Sequence, residues 1–273
     1  MIIDGKKIAE EIAQELGETI RSHSLQLTLS IVLCGNNPES VLYTNMKKEK
    51  AFQLGIKADI HHLAESITTE QFQHKIGLLN KVADGIIIQL PLPPHLDTET
   101  IVNTIHSDKD VDGLTALSMG KLARRNETFA PATPKAVIAL LEKYQISLSR
   151  KEVVIINRSA IVGKPLAFML LNRGATVTIC HRETKDLAFH TRRADIIITG
   201  VGQKNFLTAD LIKEQAVVID VGTTREGHTV FGDAAPDLAQ KASLYTPVPG
   251  GVGPMTVIML LKNLVDAKLK SYL

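Results

Sequence analysis

The chain predicts an α/β protein of two domains, each with a mainly parallel sheet flanked by helices. Three observations carry this. Branched apolar runs of strand length alternate with helix-length stretches along the sequence, the pattern of crossover units that feed a parallel sheet. Glycines and short polar turns fall at the ends of those runs. The segment RRNETFAPATP (124–134) is polar and carries proline, and such stretches mark domain boundaries. A domain boundary is expected there.

Each element has its own signal. Ile8, Ile12, Leu16 and Ile20 recur every fourth residue, with Ala9 and Ala13 beside them, so residues 5–22 read as an amphipathic helix, with Asp4 placed to cap it. LTLSIVLC, closed by Gly35, reads as a buried strand. A helix over 39–54, a strand over 56–63 and a polar helix over 69–81 follow, then a buried strand, GIIIQLPL (85–92). After the boundary come a helix over 134–144 and strand EVVIIN (152–157), then a helix over 165–173 and strands ATVTIC (175–180), DIIITGV (195–201) and AVVIDVG (216–222). A last helix, about 254–270, starts after GGVGP and is free to return to the first domain. A cleft between the two domains is the expected place for a ligand.

Composition narrows the function classes. With 273 residues, 44% hydrophobic and 22% charged, the chain is globular rather than disordered. A net charge of +2 gives no reason to expect nucleic acid or an anionic membrane as partner. No apolar run approaches the roughly 18 residues of a membrane span, and MIIDGKKIAEEI lacks the pattern of a secretory signal. Cys34 and Cys180, each among apolar residues, fit neither a disulfide framework nor a metal motif. A reduced, cytoplasmic setting and no metal are expected.

VVIINRSAIVGKP (153–165) runs from a strand through a polar turn into a helix, as a dinucleotide-binding unit does, yet without the G-x-G-x-x-G loop. Asn157 stands where glycine is expected, and asparagine tolerates left-handed backbone better than most residues. Gly163 could give the close helix–strand contact. Alone, the loop reads equally as a phosphate site or a structural turn. The next strand ends in His181 and Arg182, with no acid before Glu183. Arg158 and Arg182 together would suit a 2′-phosphate, which favours NADP, with NAD as the alternative.

RSAIVGKP, ATVTICH and TPVPGGVGPMT, preceded by GNNPESVLYTNMKKEKAFQLGI (35–56), DGIIIQLPLP (84–93) and KDVDGL (109–114), resemble the bifunctional methylenetetrahydrofolate dehydrogenase/cyclohydrolase family, in its order and over nearly the whole chain. The resemblance implies a folate domain of residues 1–127 closed by the last helix, 255–273, and a Rossmann-type nucleotide domain of residues 128–254. It implies NADP-dependent oxidation of 5,10-methylenetetrahydrofolate, then hydrolysis of the methenyl form to 10-formyltetrahydrofolate, with tetrahydrofolate derivatives as ligands and a homodimer as the assembly.

Residue by residue, the resemblance makes Lys47 the central catalytic group and Tyr43 the ring that stacks on or orients folate. Four residues apart on a helix, these two share a face. In isolation, YTNMKKEK reads as a solvated lysine-rich surface. Gln89 is implied to position Lys47, and Asp112 to hold the amino-pyrimidine edge of the pterin, where a carboxylate accepts two N–H bonds; Asp110 is the other acid of that turn. Leu90, Pro91, Pro247, Gly250 and Gly251 are implied to line the folate. Asn157, Arg158, Ser159, Ile161, Gly163, Arg182 and Thr223 are implied to line the cofactor. The chain departs from the family pattern at Asn157 (usually Gly), Ser107 (Pro), Ala136 (Gly) and Thr223-Thr224 (Ile-Asn). Two rivals are weaker: an oxidoreductase of shikimate-dehydrogenase type, which shares the architecture but does not explain KDVDG together with PGGVGPMT, and a non-catalytic folate-binding protein, against which the Tyr43, Lys47, Gln89 and Asp112 set argues.

Overall fold

A computed structural model describes residues 1–227 and 229–270 of the chain, in two compact units. The first comprises Glu11–Ala132 with Val257–Leu273. Helix α1 (Gly5–Ser22), with Lys7 N bound to the Asp4 carboxylate at 2.9 Å, leads into it. Strand β1 (Thr28–Cys34), α2 (Pro38–Gln53), β2 (Lys57–Leu63), α3 (Thr69–Leu79) and β3 (Gly85–Ile88) then form a parallel sheet of order β2-β1-β3. The central strand β1 is buried along nearly its whole length, as central parallel strands are, and the end strand β3 is buried too, with Ile86 bridged on its outer side by Asp110. Short helices α4 (Thr98–Val102) and α5 (Ala116–Ala123) complete the run.

The core on one face of this sheet joins Val32, Phe72, Ile76, Ile86, Ile88 and Ile101. Full burial of each such side chain stabilises by about 1.5–3 kcal/mol. The C-terminal part of α9 (Val252–Lys270) belongs here: Asn263 Nδ2 donates to the carbonyls of Val111 and Ala130 at 2.8 and 3.0 Å, and Lys268 pairs with Asp84 at 2.7 Å.

The second unit comprises Met1–Glu10 and Thr133–Thr256. It holds α6 (Ala132–Lys143), β4 (Glu152–Ile156), α7 (Gly163–Asn172), β5 (Thr176–Cys180), α8 (Leu187–Thr191), β6 (Ile196–Thr199), β7 (Val217–Asp220), the hairpin β8 (Thr224–Glu226) with β9 (Thr229–Phe231), and β10 (Leu244–Tyr245). The main sheet is parallel, in order β10-β7-β6-β4-β5. By contacts, Met1–Glu10 goes with this unit rather than with the rest of residues 1–127. Ile3 N donates to Tyr245 O at 2.8 Å and Tyr245 N to Met1 O at 3.1 Å, so the N-terminus prolongs the β10 edge of this sheet.

Candidate active site

In the first unit, α2 brings its chemistry into the protein by an unusual stripe. Asn37 caps the helix by accepting from Ser40 N, Pro38 opens it, and Gly55, with φ 79°, follows its end. Its buried residues are Ser40, Thr44 and Ala51. Lys47 lies on the same line, so small side chains on either side draw it inward while Lys48 stays exposed. Tyr43, one turn before Lys47, is 36% exposed.

Lys47 Nζ donates to Gln89 Oε1 at 3.0 Å. Gln89 follows β3, its N–H continues the sheet by bonding Val32 O at 2.9 Å, and its Nε2 donates to Leu90 O at 2.8 Å. The next peptide, Leu90-Pro91, is cis, and Pro91 is exposed. The expected strand over 85–92 thus ends at Ile88. Residues 89–91 leave the sheet and carry polar groups at the carboxyl ends of parallel strands, where α/β sheets offer room for ligands.

The two acids of KDVDG separate by role. Asp110 is fully buried; its oxygens accept from Leu114 N at 3.1 Å and Thr115 N at 2.9 Å, so it builds the turn. Asp112 makes no hydrogen bond among the described residues. Burial pushes its carboxyl above the usual range; the nearby Lys47 ammonium opposes that shift and Asp110 adds to it. The lysine mirrors this. Its residue surface is only partly covered, but its charged end sits deep among protein atoms, and this burial holds its pKa below the ordinary lysine value against the pull of Asp112.

In the second unit the loop after β4 is built by the Asn157 side chain. Asn157 Oδ1 accepts from Ser159 N at 2.9 Å and Gly163 N at 3.1 Å, and Nδ2 donates to Gly200 O at 2.6 Å. The expected left-handed backbone at Asn157 is not found, since its φ is negative; the residue acts through its side chain. Gly163 does make the close contact, because a Cβ there would overlap the Asn157 carbonyl. Ser159 Oγ accepts from Val162 N at 3.1 Å, while the amides of Arg158, Ala160 and Ile161 have no partner among the described residues. Ile161 is 45% exposed. Arg158 and Arg182 do not form a bare basic pocket: Glu183 pairs with both, at 3.3 and 3.6 Å. Thr223 is exposed beyond β7. Pro247, Gly250 and Gly251 lie in this unit too, in a loop whose Gly250 carbonyl accepts from Lys6 N at 3.0 Å.

Two family models match the chain: the catalytic domain of tetrahydrofolate dehydrogenase/cyclohydrolase over residues 3–112, and the NAD(P)-binding domain of the same enzymes over residues 131–272. The chain belongs to the tetrahydrofolate dehydrogenase/cyclohydrolase family. Among relatives of this family, the bifunctional protein FolD of a Nitratiruptor species is 45% identical over 97% of each chain. The crystal structure of the bifunctional FolD enzyme from Campylobacter jejuni superposes with a TM-score of 0.96 at 43% identity, covering 99% of each chain. That of the Trypanosoma brucei enzyme, solved with NADP cofactor and inhibitor, gives 0.94 at 35% identity, covering 100% of this chain and 98% of that one.

Ser107, Ala136 and Thr224 differ in their surroundings. Ser107 Oγ accepts from Lys121 Nζ at 3.2 Å, Ala136 is fully buried, and the Thr224 hydroxyl is buried with no hydrogen-bond partner among the described residues. One pair escaped the sequence altogether. Asp233 accepts from Thr199 Oγ1 and from the amides of Val201, Gly202 and Gln203 at 2.6–2.9 Å, and Asp220 accepts from the amides of Gly222 and Ala234 at 2.8 Å. Burial, with the Asp233 charge adding to it, pushes Asp220 up to about 6 against the backbone N–H bonds that lower it. An acid ending an apolar strand, VVID, was the available signal. Among the described residues, no cluster of His, Cys, Asp or Glu is arranged to hold a metal ion, and no helix is long and apolar enough to cross a membrane.

Proposed function

We infer that the chain oxidises 5,10-methylenetetrahydrofolate to 5,10-methenyltetrahydrofolate with NADP⁺ and hydrolyses the methenyl form to 10-formyltetrahydrofolate. The observation that carries this reading is the Lys47–Gln89 hydrogen bond beside the unbonded Asp112 carboxylate, all in the catalytic-domain match. NADP⁺, when bound, would supply the hydride acceptor. The amides of Arg158, Ala160 and Ile161, without partners among the described residues, and the Arg158 guanidinium suit its phosphates.

The protein side of the chemistry follows from charge. The methenyl substrate is a cation, and a lysine whose pKa is lowered by burial can face it neutral. Donating one N–H to Gln89 fixes the amine, so its lone pair can take the proton from the attacking water as the C–O bond forms and the C=N⁺ π pair returns to nitrogen; that proton, passed to N5, lets the C–N5 bond break and leaves the formyl group on N10. Asp112 accepts the N–H groups of the pterin edge, and Tyr43 offers its ring to the pterin face. Leu90, Pro91, Pro247, Gly250 and Gly251 line the folate in this reading. Residues 128–254 act as the nucleotide domain, with Ser159, Ile161, Gly163, Arg182 and Thr223 along the cofactor.

A cytoplasmic homodimer completes the proposal. Cys34 and Cys180 are free and buried, which suits a reducing compartment. Strand β5 is a sheet edge with Ile179 37% exposed, a surface that suits pairing. Initial rates of nicotinamide reduction with methylenetetrahydrofolate, set beside hydrolysis of the methenyl form, test the function. Both activities are expected in the wild type. Loss of hydrolysis in Lys47→Ala with the fold intact supports the site; unaltered hydrolysis would remove Lys47 from it.

A further inference from the structure

Arg158 and Glu183 face each other from neighbouring strands. β4 and β5 pair in parallel with Ile156 opposite Cys180, so Arg158, two residues past one strand, and Glu183, three past the other, reach the same end of the sheet. The contact is a fork: Nη1 to Oε2 and Nη2 to Oε1, each 3.3 Å. The acid is held there by its own turn. His181 N donates to Thr184 Oγ1 at 2.8 Å, Thr184 N to His181 O at 2.8 Å, and Glu183 N to His181 Nδ1 at 3.2 Å, which leaves Arg182 and Glu183 at the corner. Arg182, 86% exposed, adds only a 3.6 Å contact to the same carboxylate.

We propose that Glu183 is a specificity-determining residue, one that narrows the preference for NADP⁺ over NAD⁺ by competing with the 2′-phosphate for Arg158. This rests on the reading that the loop after β4 takes the dinucleotide. In dinucleotide units an acid beyond the second strand accepts the ribose 2′-hydroxyl of NAD, whereas an arginine answers the 2′-phosphate of NADP. This chain holds both, and pairs them with each other. A phosphate must displace the carboxylate from the guanidinium and then lie beside a like charge. A ribose hydroxyl needs neither, because it can donate to a carboxylate already in place. The pair is half-exposed, 47% and 59% at the two side chains, so its attraction is modest and a phosphate can displace it.

The test is kcat/KM for NADP⁺ and for NAD⁺ in the wild type, Glu183→Gln, Arg158→Gln and the double variant, with melting temperature as the check on folding. Glu183→Gln is expected to raise the NADP⁺/NAD⁺ ratio by roughly three- to tenfold, through better NADP⁺ and poorer NAD⁺ kinetics. In the Arg158→Gln background the same change should no longer improve NADP⁺, a coupling that a merely structural residue would not show. A Glu183→Gln variant that leaves the ratio unchanged, or shifts both cofactors alike, overturns the proposal while Arg158→Gln still weakens NADP⁺. If Arg158→Gln itself leaves NADP⁺ unaffected, the placement of the dinucleotide fails, and the role of Glu183 fails with it. A second variant, Glu183→Ser, keeps the test decisive should the glutamine variant misfold.

Discussion

Lys47 Nζ donates to Gln89 Oε1 across 3.0 Å, and Gln89 Nε2 is held by Leu90 O at 2.8 Å, so the amide can face the lysine only with its oxygen. Two consequences can be measured. Gln89→Met removes the acceptor and should lower kcat for methenyl hydrolysis by about ten- to a hundredfold, the loss expected for a hydrogen bond to a group that carries charge. Gln89→Glu puts a negative charge beside Lys47 and favours its protonated form. Hydrolysis that needs neutral lysine rises with pH through a pKa held below the ordinary value. Its rising limb should therefore move to higher pH in Gln89→Glu. A limb that stays in place would show that Lys47 does not govern the rate.

Asp110 and Asp112 should respond oppositely to removal of charge. Asp110→Ala deletes the acceptor of one buried and one part-buried amide and should destabilise the first unit by about 2–5 kcal/mol, seen as an early thermal transition. Asp112→Asn removes a carboxylate that burial holds above its usual pKa, so it should leave the melting temperature nearly intact or raise it. Its effect should fall on the KM for folate. Equal destabilisation by both would make Asp112 a second turn residue.

The contrast shows how far the sequence can be read. Helix α2 and the strands of both sheets other than β3 and β10 are written in local spacing, and their limits shift by a residue or two. GIIIQLPL reads as one strand because its leucines are apolar, but Pro91 has no N–H for a ladder and the chain leaves the sheet at Gln89. The two-residue β10 and its pairing with Met1–Ile3 have no local signature, since the contact spans most of the chain. Resemblance alone singles out Asp112 over Asp110; that Asp110 is consumed by its own turn is a fact of three dimensions. The loop arginines are legible as cations, whereas the carboxylate facing them is not, because Glu183 lies 25 residues from Arg158.

Asp220 makes the stability of the second unit depend on pH in an unusual direction. Its carboxyl is raised to about 6 in the folded chain, against about 3.9 when unfolded. Between those values the folded state holds an extra proton, so this contribution is full below the window and is lost as pH rises through it. A gap of about two pH units corresponds to about 3 kcal/mol by neutral pH. The melting-temperature advantage of the wild type over Asp220→Asn should thus shrink from about pH 4 to about pH 7. Carboxyl NMR should place the Asp220 midpoint near 6; a midpoint near the ordinary value would refute this.

Gly163 and Asn157 give the sharpest test of the dinucleotide loop. A methyl group on Gly163 would overlap the backbone carbonyl of Asn157, which no side-chain rotation can relieve, so Gly163→Ala must displace the start of α7 or the end of β4. The amides of Arg158, Ala160 and Ile161 lie between those two points and move with them. The KM for NADP⁺ should rise about tenfold or more, and oxidation should fall further than methenyl hydrolysis, whose Lys47 belongs to the other unit. Asn157→Ala loosens the same loop without a clash. It leaves Ser159 N, Gly163 N and Gly200 O without the partners they have now, a loss of about 1–3 kcal/mol where those groups stay dry. Its melting temperature should drop while its NADP⁺ kinetics change less than those of Gly163→Ala. The reverse order, with asparagine removal harming cofactor use more than the added methyl, would mean that Asn157 touches the dinucleotide directly.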